Sequence, residues 1–197
     1  MTGQELFASD NQAGVRAAVD LVNAAALEHA AGRPADTGDP LSRLATALAG
    51  DPPSLAALGP DDVPAFLVLA GRLQSVFDDL RDGDVDAAAG RLNDLLADHP
   101  AQPHLAREDG RWRLHHHPLD AALVPMWTSI CAEGLARAIG DGHAERLGTC
   151  AGADCDRVFL DASKNASRRF CSTACQNRTK AAAFRRRRLV IPGVGPR

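Results

Sequence analysis

Four cysteines near the carboxyl end constrain this chain more than any other feature. Cys150, Cys155, Cys171 and Cys175 follow the spacing Cys-x4-Cys-x15-Cys-x3-Cys. Two close pairs joined by a short return segment are the ligand pattern of a structural zinc site. Zn2+ takes four thiolates at about 2.3 Å in a tetrahedron, and each close pair supplies two of them from one tight backbone feature. A closed set of four sulfurs leaves no open coordination position, so the expected ion is structural, one per chain, and not catalytic. A disulfide framework fits badly, because the chain has five cysteines, an odd number. The fifth, Cys131, sits in an apolar stretch and reads as a small buried hydrophobe.

The segments around the ligands suit the same reading. Arg157–Asp161 is short, apolar and strand-like, and Ser163–Ser167 is turn chemistry. Phe159 and Phe170 would be the core of a module too small to fold on apolar burial alone. Metal binding supplies the missing free energy, on the order of 10 kcal/mol. Residues 171–188 read as a helix with Ser172 or Thr173 as N-cap. Cys171 and Cys175 are then four apart and project from one face, near the positive end of the helix dipole.

Charge is distributed unevenly. Residues 144–197 hold 12 Lys and Arg against 4 Asp and Glu, a net of +8, whereas residues 1–143 hold 10 against 21, a net of −11. Zn2+ with four thiolates carries a formal −2, which leaves the carboxyl-terminal part at about +6. Arg168 and Arg169 precede the helix, and Arg178, Lys180, Arg185, Arg186, Arg187 and Arg188 lie on it or just beyond. Such a surface attracts phosphates by counterion release. The alternative is a solvated helix end, or a cationic face docked on the acidic body. Four consecutive arginines cannot share one helical face, so they suit an arm that tracks a nucleic-acid backbone better than a base reader.

The first 143 residues read mostly as helices, over 13–31, 40–48, 60–81, 84–98 with Asp84 as N-cap, and from after Pro118 to about Ile139. Asp51-Pro52-Pro53 reads as a stop. Residues 104–116 change period and read as a hairpin turning at Asp109-Gly110. Gly140-Asp141-Gly142 marks the boundary between a body, 1–143, and a finger module, 144–197. The expected fold class is mainly α: a helical amino-terminal domain with a small β-hairpin, plus a small four-cysteine zinc module. His115-His116-His117 invites a metal-site reading, but alternate strand residues point to opposite faces, so at most two of the three converge. A surface or interface role is expected there.

Several function classes are excluded or disfavoured. No apolar run approaches the roughly 20 residues of a membrane helix. The amino terminus has no basic and apolar pair of regions resembling a secretory signal, so a cytoplasmic location with reduced thiols is expected. No Ser/His/Asp set, Gly-rich phosphate loop or paired carboxylate stands out, so no enzyme is expected.

The stretch from Cys150 to Arg188 resembles the finger of the CGNR zinc-finger family, whose pattern is roughly C-x4-C-x3-F-x-D-x-S-x-N-x-S-R-R-[WF]-C-x3-C-G-N-R-x-K. Cys150, Cys155, Phe159, Asp161, Ser163, Asn165, Ser167, Arg168, Arg169, Phe170, Cys171, Cys175, Asn177, Arg178 and Lys180 all match. The namesake glycine is replaced by Gln176. The amino-terminal part is similar to the ABATE-type domain that accompanies this finger. Its D-x-x-N signature stands as Asp20-Leu21-Val22-Asn23, with Ala24 where Thr usually follows. The resemblance implies a bacterial transcription regulator, with zinc on the four cysteines and DNA as partner. The body would dimerise or sense a small-molecule effector, and the finger would present Arg168, Arg169, Asn177, Arg178, Lys180 and Arg185–Arg188 to DNA. Asn177 and Arg178 are able to read adenine and guanine edges. They are also able to brace the finger, Asn177 by backbone hydrogen bonds and Arg178 by pairing with Asp161. Other readings are a zinc-stabilised protein-interaction module and an RNA binder, the latter disfavoured by 4% aromatic residues and no Tyr to stack bases.

Overall fold

The computed structural model describes residues 9–35, 38–108 and 110–190. Helix α1 (Ser9–Ala25) turns Val15, Ala18, Leu21 and Val22 inward. It ends before the expected residue 31 because the chain doubles back in a two-residue turn between strands β1 (His29–Ala30) and β2 (Arg33–Pro34). Ala31 and Gly32 take φ of +54° and +80° there, the left-handed pair such a tight hairpin requires. Helix α2 (Pro40–Ala47) is capped by Asp39. Asp51-Pro52-Pro53 both stops one helix and starts the next, α3 (Pro52–Ala57): Asp51 caps it, and proline at the first helical position loses no hydrogen bond.

After a 3-10 turn at Pro60–Asp62, α4 (Val63–Arg81) and α5 (Val85–Asp98) form an antiparallel pair, with Asp84 capping α5 as expected. The hairpin β3 (Pro103–Glu108) and β4 (Arg111–His116) follows, with Gly110 at φ +78°; Asp109 lies outside the described residues. Helix α6 (Leu123–Gly140) closes the body. It crosses α1 so closely that a Cβ on Gly134 would come 2.8 Å from Val15 N, and one on Gly14 2.5 Å from Ile130 O.

One core runs through α1, α2, α4, α5 and α6, filled by Phe66, Phe77, Leu73, Leu92, Leu95 and Leu135. Cys131 is fully buried in it. Strands β5 (Leu147–Thr149) and β6 (Val158–Leu160) form an antiparallel pair whose Leu147 and Val158 join the same core. The last element is α7 (Thr173–Val190). The mainly helical class with small strand pairs and a terminal cysteine cluster is thus the observed one. No helix among the described residues is long and apolar enough to cross a membrane.

Candidate metal centre

The loop between β5 and β6 supplies two of the four thiols and the start of α7 the other two. The loop is pinned at its base by Cys150 N–H donating to Arg157 O at 2.8 Å. It turns through Asp154, whose φ is +53°. Opposite it, Ser172 Oγ accepts from Cys175 N–H at 3.3 Å and caps α7, so Cys175 lies in the first helical turn and Cys171 just outside.

These elements bring the sulfurs together. Cys171 Sγ lies 3.5 Å from Cys175 Sγ and 3.8 Å from Cys155 Sγ, and Cys155 and Cys175 are 3.8 Å apart. All four lie within 4.8 Å of one another. A tetrahedron with Zn–S bonds of about 2.3 Å has edges of about 3.8 Å. No disulfide joins them. The donor chemistry and the spacing both fit Zn2+, and the four cysteines form one structural zinc site.

The surroundings favour negative sulfur. Cys155 Sγ accepts from Ala31 N–H at 3.3 Å, and Cys150 Sγ from Cys171 N–H at 3.4 Å. Burial alone would raise the Cys175 thiol, but hydrogen bonds from Ser172 and the neighbouring thiols outweigh it and bring it down to about 7. Burial pushes the Cys150 and Cys171 thiols up, which favours their protonated forms where no metal is bound. Zinc displaces those protons when it binds.

Asp161 organises the return segment. It is almost fully buried, and its carboxylate accepts from Ser163 N–H at 2.8 Å and Arg168 N–H at 2.7 Å. Burial works against its charge, yet hydrogen bonds from Ser163 and Arg168 hold it below the usual carboxylate range. Arg146, also buried, donates to Asp161 O at 3.0 Å and Ser163 O at 2.8 Å. In the sequence Arg146 is one of the 12 basic residues of 144–197, and nothing local marks it as a clamp.

The expected nucleic-acid residues separate into two groups. Arg169, Asn177, Lys180, Arg185, Arg186 and Arg187 are exposed; the side chain of Arg188 lies outside the described residues. Arg168 reaches the surface but is occupied: it donates to Phe170 O at 2.9 Å and to Cys171 O, and lies 4.6 Å above the Phe159 ring. Arg178 is half-buried, donates to Ala153 O at 2.9 Å, and sits 3.7 Å from Cys175 Sγ. It braces the loop carrying the first ligands, and its partner is Ala153 rather than Asp161. Gln176 joins Arg168, Arg169 and Ser172 in lining an open cleft of about 590 Å³ beside the metal centre.

The body contributes to the site directly, which the sequence did not foretell. Beyond the Ala31 bond to sulfur, Gly32 N–H donates to Asp154 O at 2.8 Å and Asp156 N–H to His29 O at 2.9 Å. Gly32 also lies under the Arg178 guanidinium, where a Cβ would come 2.8 Å from Nε.

The helical body and the four-cysteine finger joined to it are each matched by a known family. The family model described as CGNR zinc finger matches residues 146–188, and that of ABATE, described as "Putative stress-induced transcription regulator", matches residues 8–151. The chain belongs to the ABATE family and carries a CGNR zinc finger. No curated protein matches it.

Proposed function

We propose that the chain is a DNA-binding transcription regulator in which zinc fixes α7 as a cationic platform for duplex phosphates. The observation that carries this reading is the state of the cations. Arg169, Lys180, Arg185, Arg186 and Arg187 are exposed on or beside α7, and no ion pair among the described residues engages them. A cationic face docked on the acidic body would have covered these charges with carboxylates. In this reading residues 1–143 are the regulatory body and 144–197 the contacting module, joined through β5 and β6. Arg169 and the arginine run contact phosphate, and Asn177 and Lys180 lie alongside them on the helix. Arg168 and Arg178 hold the platform in shape.

The test is a titration of mixed-sequence duplex DNA at two salt concentrations, with duplex RNA and an acidic polypeptide as competitors. Binding should weaken with salt by a slope of about −0.9 for each phosphate neutralised. It should weaken further in the triple variant Arg185→Ala, Arg186→Ala, Arg187→Ala. No retention of DNA at low salt rejects the reading. Preference for the acidic polypeptide would favour a protein-interaction module instead.

A further inference from the structure

We propose that His104, His115 and His117 form a second metal site, on the β3–β4 hairpin of the body, for a divalent transition-metal ion such as Zn2+. Its basis is separate from the finger, and it stands whether or not the finger binds DNA. Strand register places His104 directly opposite His115. His117 follows two residues later on the same face, while His116 between them points the other way, its Nδ1 3.0 Å from Glu133 Oε2 on α6. One ring nitrogen from each of His104, His115 and His117 lies within 4.8 Å of the others. The three ring centroids are 5.2 to 5.4 Å apart, a nearly equilateral set.

Two features distinguish this cluster from a chance meeting of imidazoles. The first is spacing. His115 Nδ1 and His117 Nε2 are at hydrogen-bond distance, 3.3 Å apart, a contact that a bound ion would replace. Two nitrogens on a tetrahedral Zn2+, with bonds of about 2.0–2.1 Å, stand about 3.3–3.4 Å apart. The second is orientation. His117 Nδ1 lies 2.8 Å from Pro118 O, and His104 Nδ1 lies 3.2 Å from Gln102 O. A carbonyl only accepts, so each Nδ1 carries a proton, and in the neutral ring Nε2 is then the nitrogen with the lone pair. A backbone carbonyl holding the far nitrogen is the usual way a metal-ligating histidine is aimed.

The donor set selects the ion. Three neutral imidazoles without a carboxylate suit Zn2+, Cu2+ or Ni2+ and disfavour Mg2+ and Ca2+, which want oxygen. Three protein ligands leave a coordination position open, unlike the closed sulfur site. All three histidines are half-buried, so an ion here would be reachable from solvent. The ion would thereby give the regulatory body an effector of defined chemistry.

Calorimetric titration of Zn2+ into full-length protein whose finger already holds one equivalent tests this. One further saturable equivalent is expected, weakened at least about tenfold in His104→Gln and in His117→Gln and unchanged in His116→Gln. Ring-nitrogen NMR shifts on adding Zn2+ should move for the three named histidines in the unsubstituted chain, a readout that needs no variant to fold. Absence of a second equivalent overturns the proposal. So does a second equivalent that survives both substitutions, or one accompanied by no shift at His104, His115 and His117.

Discussion

Asn23 on α1 grips Val158 on β6 by both of its backbone groups: Asn23 Oδ1 accepts from Val158 N–H at 3.1 Å, and Asn23 Nδ2 donates to Val158 O at 3.0 Å. One carboxamide thus stands in for a neighbouring strand, across 135 residues of sequence. The D-x-x-N signature of the body is therefore a joint to the finger's first hairpin. Asn23→Ala would leave two part-buried backbone groups without their partner, at about 1–3 kcal/mol for each. We expect denaturant unfolding to show a loss of about 2–6 kcal/mol and the Zn2+ affinity to fall with it. A loss below about 0.5 kcal/mol, the size of an ordinary surface substitution, would mean that the joint contributes nothing to stability.

The division of labour between adjacent arginines gives a second prediction. Arg168→Ala removes donors to Phe170 and Cys171 and should lower finger stability and zinc retention. Arg169→Ala, which removes an exposed cation, should leave both intact and weaken DNA binding alone. Competition with a chromophoric chelator separates the two; equal zinc retention in both variants would contradict the bracing role of Arg168.

Asp161 makes a third. Asp161→Asn places an amide where two backbone N–H groups need acceptors, so at least one donor faces another. Hydrogen bonds to a charged group contribute about 1.5–3 kcal/mol each, and a loss of that order is expected at neutral pH. Thermal unfolding of the zinc-loaded protein measures it.

Thiol chemistry gives a fourth. Burial pushes the Cys131 thiol far up, and the four finger sulfurs are committed to zinc. Alkylation of the loaded protein should therefore label none of the five. Chelation should open Cys150, Cys155, Cys171 and Cys175 first, and Cys131 only after denaturant is added. Early labelling of Cys131 would contradict its place in the core.

Much of the fold was legible locally. The helices α4, α5 and α6 follow apolar periodicity, Asp84 caps α5 as expected, and the finger's four ligands follow from spacing alone. The failures have physical causes. Ala26 and Leu27 continue the apolar stripe of α1, so the helix reads on to residue 31, and only Gly32 hints at the turn whose other member, Ala31, carries a positive φ without any local sign of it. Net charge grouped Arg168 and Arg178 with the other cations: Arg168 folds back on carbonyls two and three residues on in an irregular segment, and Arg178 reaches one 25 residues back. Within its own strand His115-His116-His117 offers only two convergent imidazoles; the third, His104, comes from the register that sets it opposite His115 on the paired strand.

X-ray absorption at the zinc edge, on protein purified with one equivalent of zinc, addresses the central claim most directly. Four sulfur neighbours at about 2.3 Å, and no nitrogen or oxygen, is the expected result. Nitrogen or oxygen in the coordination shell, or protein that retains no zinc and carries a Cys150–Cys175 disulfide, would contradict the four-thiolate centre on which the finger is built.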